Sequence, residues 1–398
     1  MLLRRGETIN KLSVNYMKAS YWNPTKIKIG RNSLSTLPEL LCGRKAVLVA
    51  SPGSVKRGVV SQLQASCGDS IVGVTTGVIS NPTLSSITGC YSELSDLDFQ
   101  VVIALGGGSA LDTAKAVAFM RGASLNSEWL AGHFREGKEK PTDVVAKEII
   151  AIPTTSGTGS EVTSWGTIWD GENGNKYSLA DDHLYPEWAV LDAELTDSLP
   201  YSITLFGALD ALSHSMEAIW NRNANPVSDA LASESIAISI AVLSDNFKAI
   251  YSDRSVRDKL QLSSLLAGLA FSNTKTAVAH SISYPLTALL EMPHGLACGF
   301  TLPEILYYNG ESARERMDPI LHAIGCSSLI TAKEYLYELF CDIGVSDYVR
   351  QFIPNPSDLT KLNAKFITPG RADNNIAPVN QSKAEEILLS AIVRLIGE

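Results

Sequence analysis

Four side chains in the second half of this 398-residue chain have the types and spacing to hold a metal ion. Asp210 and His214 stand four residues apart in Ala208-Leu209-Asp210-Ala211-Leu212-Ser213-His214. That alanine- and leucine-rich run reads as helix, where i and i+4 side chains share a face. His280 follows in Thr276-Ala277-Val278-Ala279-His280, and His294 in Met292-Pro293-His294-Gly295. One carboxylate and three imidazoles suit iron or zinc, and are too rich in nitrogen for calcium or magnesium. The same spacing also fits a surface Asp–His ion pair and a core histidine at 280. Segments upstream weigh in favour of the metal.

The apolar run Val101-Val102-Ile103-Ala104-Leu105 reads as a buried parallel strand. It enters Gly106-Gly107-Gly108-Ser109 and then a helical stretch through Asp112 and Lys115, with Ser109 as the expected N-cap. A strand, a glycine turn and a helix start together suit an anion, because bare backbone N–H groups can approach a phosphate. Neither G-x-G-x-x-G nor G-x-x-x-x-G-K-[ST] is present, so the triple glycine alone also fits a plain tight turn. A second strand, 148–152, runs into Thr154-Thr155-Ser156-Gly157-Thr158-Gly159-Ser160-Glu161-Val162-Thr163, which offers hydroxyls and N–H groups to phosphate and ribose. By composition that loop also suits an ordinary polar surface turn.

In order along the chain, Asn81-Pro82-Thr83, Gly106-Gly107-Gly108-Ser109-x-x-Asp112-x-x-Lys115, the loop 153–161, Asp192, Asp210-x-x-x-His214, His280 and His294 resemble the iron-dependent (group III) alcohol dehydrogenases. The resemblance runs over roughly residues 20 to 300 and weakens toward the C-terminus. It implies that Asp210, His214, His280 and His294 hold a catalytic divalent metal, Fe2+ first and Zn2+ second. It implies that Gly107, Gly108 and Ser109 hold the pyrophosphate of NADPH or NADH, with Thr154, Thr155 and Thr158 on the adenosine and phosphate portion. Thr163 would lie nearer the nicotinamide and Lys176 on a ribose, while Asp112 belongs to the motif either at the cofactor or as a brace within the helix. The expected activity is a metal-dependent NAD(P)H-linked alcohol dehydrogenase or aldehyde reductase acting on a small aldehyde or alcohol. Rival readings are a glycerol- or lactaldehyde-type diol dehydrogenase, a dehydroquinate-synthase-like lyase, or a non-catalytic protein that kept the fold. Asp210 counts against the lyase, whose first ligand is Glu, and His294 as a fourth ligand favours iron over the zinc of glycerol dehydrogenases.

Three positions depart from the family pattern. Ser51 ends the strand 46–50 where NAD-preferring relatives carry an Asp, and Ser54, Lys56 and Arg57 lie nearby, which leans toward NADPH or dual use. Tyr284 stands four residues after His280, where many relatives have another histidine, and Trp165 replaces a smaller polar residue, so both are expected in the substrate pocket. Within the family, Tyr21-Trp22-Asn23-Pro24-Thr25-Lys26-Ile27 and Ser51-Pro52-Gly53 resemble phosphonoacetaldehyde reductases. That substrate needs cationic donors, for which Arg135, Lys138, Lys140 and Arg371 are candidates, each also readable as an ordinary surface charge.

The elements that would position these residues divide near Ser198-Leu199-Pro200. Short apolar runs at 46–50, 71–74, 101–105, 148–152 and 188–191 alternate with helical stretches. They predict an α/β N-terminal doubly wound parallel-sheet (Rossmann-like) dinucleotide-binding domain over 1–199. Its first strand is expected near 22–29, with 1–20 as a disordered lead-in. Segments 227–249, 257–272, 277–290 and 381–396 predict an all-helical metal- and substrate-binding domain over 200–398. A net charge of -9 argues against a nucleic-acid partner, and no continuous apolar run of membrane-spanning length is evident. Six scattered cysteines without C-x-x-C suit reduced thiols in the cytoplasm. The resemblance adds a homodimer or larger homo-oligomer.

Overall fold

The computed structural model describes residues 19–397 apart from 127, 142–143, 145–146, 171–174, 357–358, 360–361 and 363, so nearly all of the expected lead-in lies outside the described residues. Six parallel strands form one sheet in the order β1-β8-β5-β4-β2-β3. They are β1 (Lys26–Ile29), β2 (Ala46–Ala50), β3 (Ile71–Thr75), β4 (Val101–Gly106), β5 (Glu148–Pro153) and β8 (Trp188–Leu191). β2 and β4 are buried on both faces, which is why their sequences are continuous apolar runs without alternation. Val47, Val49, Val102 and Ala104 pack into one layer of the core, and Leu48, Ile103, Leu105, Ile150 and Ile152 into the other. Strand order reverses between β2 and β4, so the turns that leave them open a crevice at the carboxyl edge of the sheet.

An antiparallel hairpin, β6 (Trp165–Asp170) with β7 (Asn175–Ala180), interrupts the parallel pattern. It is not among the expected strands, although Trp165-Gly166-Thr167-Ile168-Trp169-Asp170 buries every second residue, as a half-exposed strand does. From Tyr201 onward every regular element among the described residues is helical. The helices Tyr201–Ile219, Pro226–Ala241, Arg254–Thr274 and Val278–Leu290 enclose a core that includes Trp220, Phe247 and Phe300. The segment Pro226–Asp245 reaches a mean hydropathy of 1.4 and is long enough to cross a membrane, but half of it is buried in the protein, as for a core helix.

Lys115, on the helix Gly108–Gly122, is 1% exposed. Its ammonium donates to Ser160 O at 2.7 Å, Ser160 Oγ at 2.9 Å, Thr163 Oγ1 at 3.0 Å and Trp165 O at 2.8 Å. One turn earlier, Asp112 accepts from Ser160 Oγ at 2.8 Å and from the Thr167 amide at 2.9 Å. The pair stitches the threonine-rich loop and the hairpin to the helix. Burial pulls the Lys115 pKa down to about 8, against the opposing charges of Asp112 and Glu161. Lys115→Met strips four acceptors of their donor and leaves the buried Asp112 and Glu161 without their cation. It is expected to lower the free energy of unfolding by about 3–5 kcal/mol in urea titration.

Candidate metal and cofactor site

The turn after β4 works through absent side chains. A Cβ on Gly107 would lie 3.1 Å from Thr155 Oγ1, and one on Gly108 would lie 2.8 Å from Thr158 Cγ2. Bare backbone therefore faces the two threonines across the crevice. The expected helix cap moves: Gly107 is the capping position and Ser109 stands in the first turn. A cleft of about 730 Å³ opens here, lined by Ser109, Asp112, Thr155, Thr158, Thr163, Trp165 and Lys176 on the sheet side. Thr154 is buried behind the loop, with its amide donating to Gly106 O at 2.8 Å. Ser51 packs behind the glycine turn, where a Cβ on Gly106 would come within 2.8 Å of it.

The far wall of the same cleft carries Asp210, His214, His280 and His294. Asp210 and His214 share a buried face of the helix Tyr201–Ile219, as their spacing requires. Asp210 Oδ1 lies 3.9 Å from His214 Nδ1 and 3.7 Å from His280 Nε2, and the Nε2 atoms of His214 and His280 are 3.0 Å apart. His214 stacks on Phe271, with ring centroids 4.0 Å apart. His294 begins a short helix whose Gly295 lies against the Tyr201–Ile219 helix, since a Cβ there would be 1.9 Å from Phe206 O.

Glu217, which the motifs in the sequence do not single out, organises this wall. Its buried carboxylate accepts from the amides of Ala277 at 2.8 Å, Ala279 at 2.6 Å and His280 at 3.2 Å, and from His280 Nδ1 at 2.7 Å. It thereby caps the helix Val278–Leu290 and fixes the His280 tautomer, turning Nε2 toward Asp210. Its position seven residues after Asp210, two helical turns along the same face, was the available signal.

Burial governs the ionisation of these donors. Burial pushes the Asp210 carboxyl up to about 7, although His280 and Lys176 act against the rise. Burial and the charge of His280 hold His214 well below the ordinary imidazole value; burial, Lys176 and His280 do the same to His294, leaving neutral rings. At His280 burial disfavours the cation, but Cys298 and Glu217 outweigh it and hold the pKa well above the ordinary value. Asp210 Oδ1 and His214 Nδ1 are buried without a hydrogen-bond partner among the described residues. A carboxylate oxygen left unbonded in the interior is costly unless something positive completes it. The donor set therefore fits iron or zinc.

Two cations reach the cleft beside these donors. Lys176 Nζ stands 3.7 Å from the centroid of the Tyr284 ring. Arg371 donates from Nε to the Tyr284 hydroxyl at 3.2 Å and from Nη2 to Ser178 Oγ at 3.2 Å. Burial raises the Tyr284 pKa, but Lys176, Arg371 and His280 outweigh it and the net direction is down. Of the other candidate cations, Arg135 is bound to the buried Asp170, Lys140 to Asp181, and Lys138 is exposed; none of the three lines the cleft. Trp165 and Tyr284 both line it, Trp165 meeting Phe271 edge-on at 5.7 Å.

A parallel sheet with a bare glycine turn, faced by a buried carboxylate and three imidazoles, defines a metal-dependent dehydrogenase. The family model for iron-containing alcohol dehydrogenase matches residues 24–193, and that for the C-terminal part of the Fe-containing alcohol dehydrogenase family matches 204–392. The chain belongs to the iron-containing alcohol dehydrogenases, a family of oxidoreductases. It is 31% identical over 315 residues to an NADPH-dependent butanol dehydrogenase of Clostridium saccharobutylicum, covering 76% of each chain. It is 30% identical over 321 residues to a sulfoacetaldehyde reductase of Bilophila wadsworthia, covering 76% of this chain and 79% of that one. The crystal structure of a sulfoacetaldehyde reductase from Bifidobacterium kashiwanohense in complex with NAD+ superposes with a TM-score of 0.84 at 26% identity, over 94% of this chain and 99% of that one.

Glu217→Gln keeps the size of the side chain but weakens its hold on His280 Nδ1. Metal affinity, measured by competition with a chromogenic chelator, is expected to fall roughly 10- to 100-fold.

Proposed function

We propose that the protein is a metal-dependent, NADPH-preferring reductase of a short anionic aldehyde, with phosphonoacetaldehyde giving 2-hydroxyethylphosphonate as the reaction. Residues 1–199 would hold the dinucleotide, and residues 200–398 the metal and most of the substrate pocket. One observation carries the substrate class. Lys176 and Arg371 converge on Tyr284 at the mouth of the Asp–His–His–His set, and neither has a carboxylate within 4.0 Å among the described residues. Unpaired cations facing a cleft suit a phosphonate or sulfonate, which accepts several charge-assisted hydrogen bonds. Similarity to a relative named for sulfoacetaldehyde, another short aldehyde with an anionic group, supports the same class.

Asp210, His214, His280 and His294 would hold the metal, which when bound acts as a Lewis acid on a carbonyl oxygen. The nicotinamide supplies the hydride. Gly107, Gly108, Ser109, Thr155 and Thr158 would position the dinucleotide, with Thr163 toward the ring. Arg371 would grip the anionic end of the substrate while Tyr284 and Trp165 wall off water. Lys176, read from the resemblance as a ribose contact, lies close enough to Tyr284 to serve the substrate as well. We place the enzyme in the cytoplasm as a homodimer or larger homo-oligomer, its six free thiols suiting a reducing compartment.

Support for NADPH comes from Arg57. It follows Ser51, which stands where an acidic residue would close the carboxyl end of β2, although neither residue lines the cleft described above. An arginine there suits the 2′-phosphate, for which an acidic residue would be repulsive.

The test is nucleotide oxidation by anaerobically Fe(II)-loaded protein offered phosphonoacetaldehyde, sulfoacetaldehyde and neutral short aldehydes, with and without chelator. Chelator-sensitive turnover favouring an anionic aldehyde is expected. Equal or better use of neutral aldehydes and diols would replace this reading with the diol dehydrogenase. Arg371→Ala should lower kcat/KM for the anionic aldehyde roughly 10- to 100-fold while propanal changes only a few-fold. Arg57→Ala should cost NADPH a similar factor, about tenfold or more in kcat/KM, and spare NADH.

A further inference from the structure

The short helix His294–Gly299 carries a side chain that the four-donor set does not use. Cys298 lies four residues after His294, on the same helical face, and is fully buried. Its Sγ stands 3.7 Å from His294 Nε2 and 3.8 Å from Nδ1. One donor atom each from Asp210, His280, His294 and Cys298 lies within 4.8 Å of the other three. The thiol thus stands in one grouping with three of the four donors, while His214 lies 3.0 Å from His280. Resting on the metal reading above, we propose that Cys298 is a fifth donor to that metal, a sulfur ligand in an otherwise oxygen and nitrogen set.

Packing fixes the thiol in this place. A Cβ on Gly295 would collide with Phe206 O at 1.9 Å, and one on Gly299 with Leu209 Cβ at 2.8 Å. Both glycines press the short helix onto the helix that bears Asp210, so the face between them, with Cys298, cannot turn away. The independent sign of a ligand is Asp210 Oδ1, which is buried, unbonded and part of the same grouping. A buried cysteine ordinarily packs as a small apolar group. This one is surrounded by a carboxylate and imidazoles instead. As the sulfur–metal bond forms, the thiol proton leaves to water and no oxidation state changes. A sulfur donor would bias the site toward zinc, cobalt or iron over manganese or magnesium.

The probe is Co(II) alone, loaded anaerobically into the full-length protein after chelator stripping. Wild type is expected to show visible ligand-field bands together with a near-ultraviolet thiolate-to-cobalt charge-transfer band. Cys298→Ser should keep the visible bands and lose the ultraviolet one, and Cys90→Ser, altered at a buried thiol on the Leu84–Leu94 helix, should keep both. Visible bands without the ultraviolet band in wild type, or an ultraviolet band that survives in Cys298→Ser, would overturn the proposal and leave the four-donor reading standing. Failure of wild type to retain cobalt, with no bands at all, would overturn both readings. The wild-type spectrum decides even if a variant folds poorly.

Discussion

Close approach of bare backbone sets the distance between the sheet and the helices, and the cleft depends on it. A Cβ on Gly207 would lie 2.4 Å from Ser156 O, one on Gly159 would lie 2.6 Å from Gly268 Cα, and one on Gly295 would lie 1.9 Å from Phe206 O. At such distances the main chain itself would have to move, and packed interiors give little room for that. Side chains at the first two places would lift the threonine loop away from the helices Tyr201–Ile219 and Arg254–Thr274. A side chain at the third would carry His294 away from Asp210. The crevice at the carboxyl edge of the sheet and the donor wall opposite are thus two faces of one packed junction.

Within that junction the buried charges fall into two kinds. Glu217 has four donors, Lys115 four acceptors, and Arg257 donates to Thr204 Oγ1 at 2.5 Å and Leu199 O at 2.9 Å. Burying an ion costs several kcal/mol unless such partners are present, so these three are completed by the protein and act as braces. Asp210 Oδ1 is buried and left incomplete. An incomplete buried carboxylate in the cleft is what a bound cation would complete. By this criterion Asp112, both of whose oxygens are engaged, belongs with the braces although it lines the cleft.

What could be read before the structure follows from how local each signal is. The runs at 46–50, 101–105 and 148–152 announce buried parallel strands because both faces must be apolar. Asp210 and His214 announce a shared face because helical geometry needs no other segment. Glu217 was hidden because its partners, residues 277 to 280, are brought to it only by the packing of two helices. Cys298 was hidden among six scattered cysteines, since only the glycine contacts of its helix show which way it faces. The β6–β7 hairpin was legible in principle from its alternation, but Trp165 stands out first as a pocket residue, which masks the period of its strand. Ser109 looked like a cap by residue type, yet Gly107 takes that position because the turn needs backbone without a side chain facing Thr155.

Most of the groups proposed to choose the substrate come from different elements than those proposed to do the chemistry. Lys176 and Ser178 belong to the hairpin, Arg371 to a segment before the last helix, and Tyr284 to the helix that also carries His280. Arg371 bonds to both Ser178 and Tyr284, so one guanidinium ties the hairpin to the helical wall across the mouth of the cleft. The same segment is tied to the His280 helix, Thr368 N donating to Ser281 Oγ at 2.8 Å. Changes of side chain at Lys176, Ser178 or Arg371 alter charge and shape at the mouth without replacing any of the four donors. A fold divided in this way can keep one metal centre and one cofactor turn while its relatives are named for substrates as different as butanol and sulfoacetaldehyde.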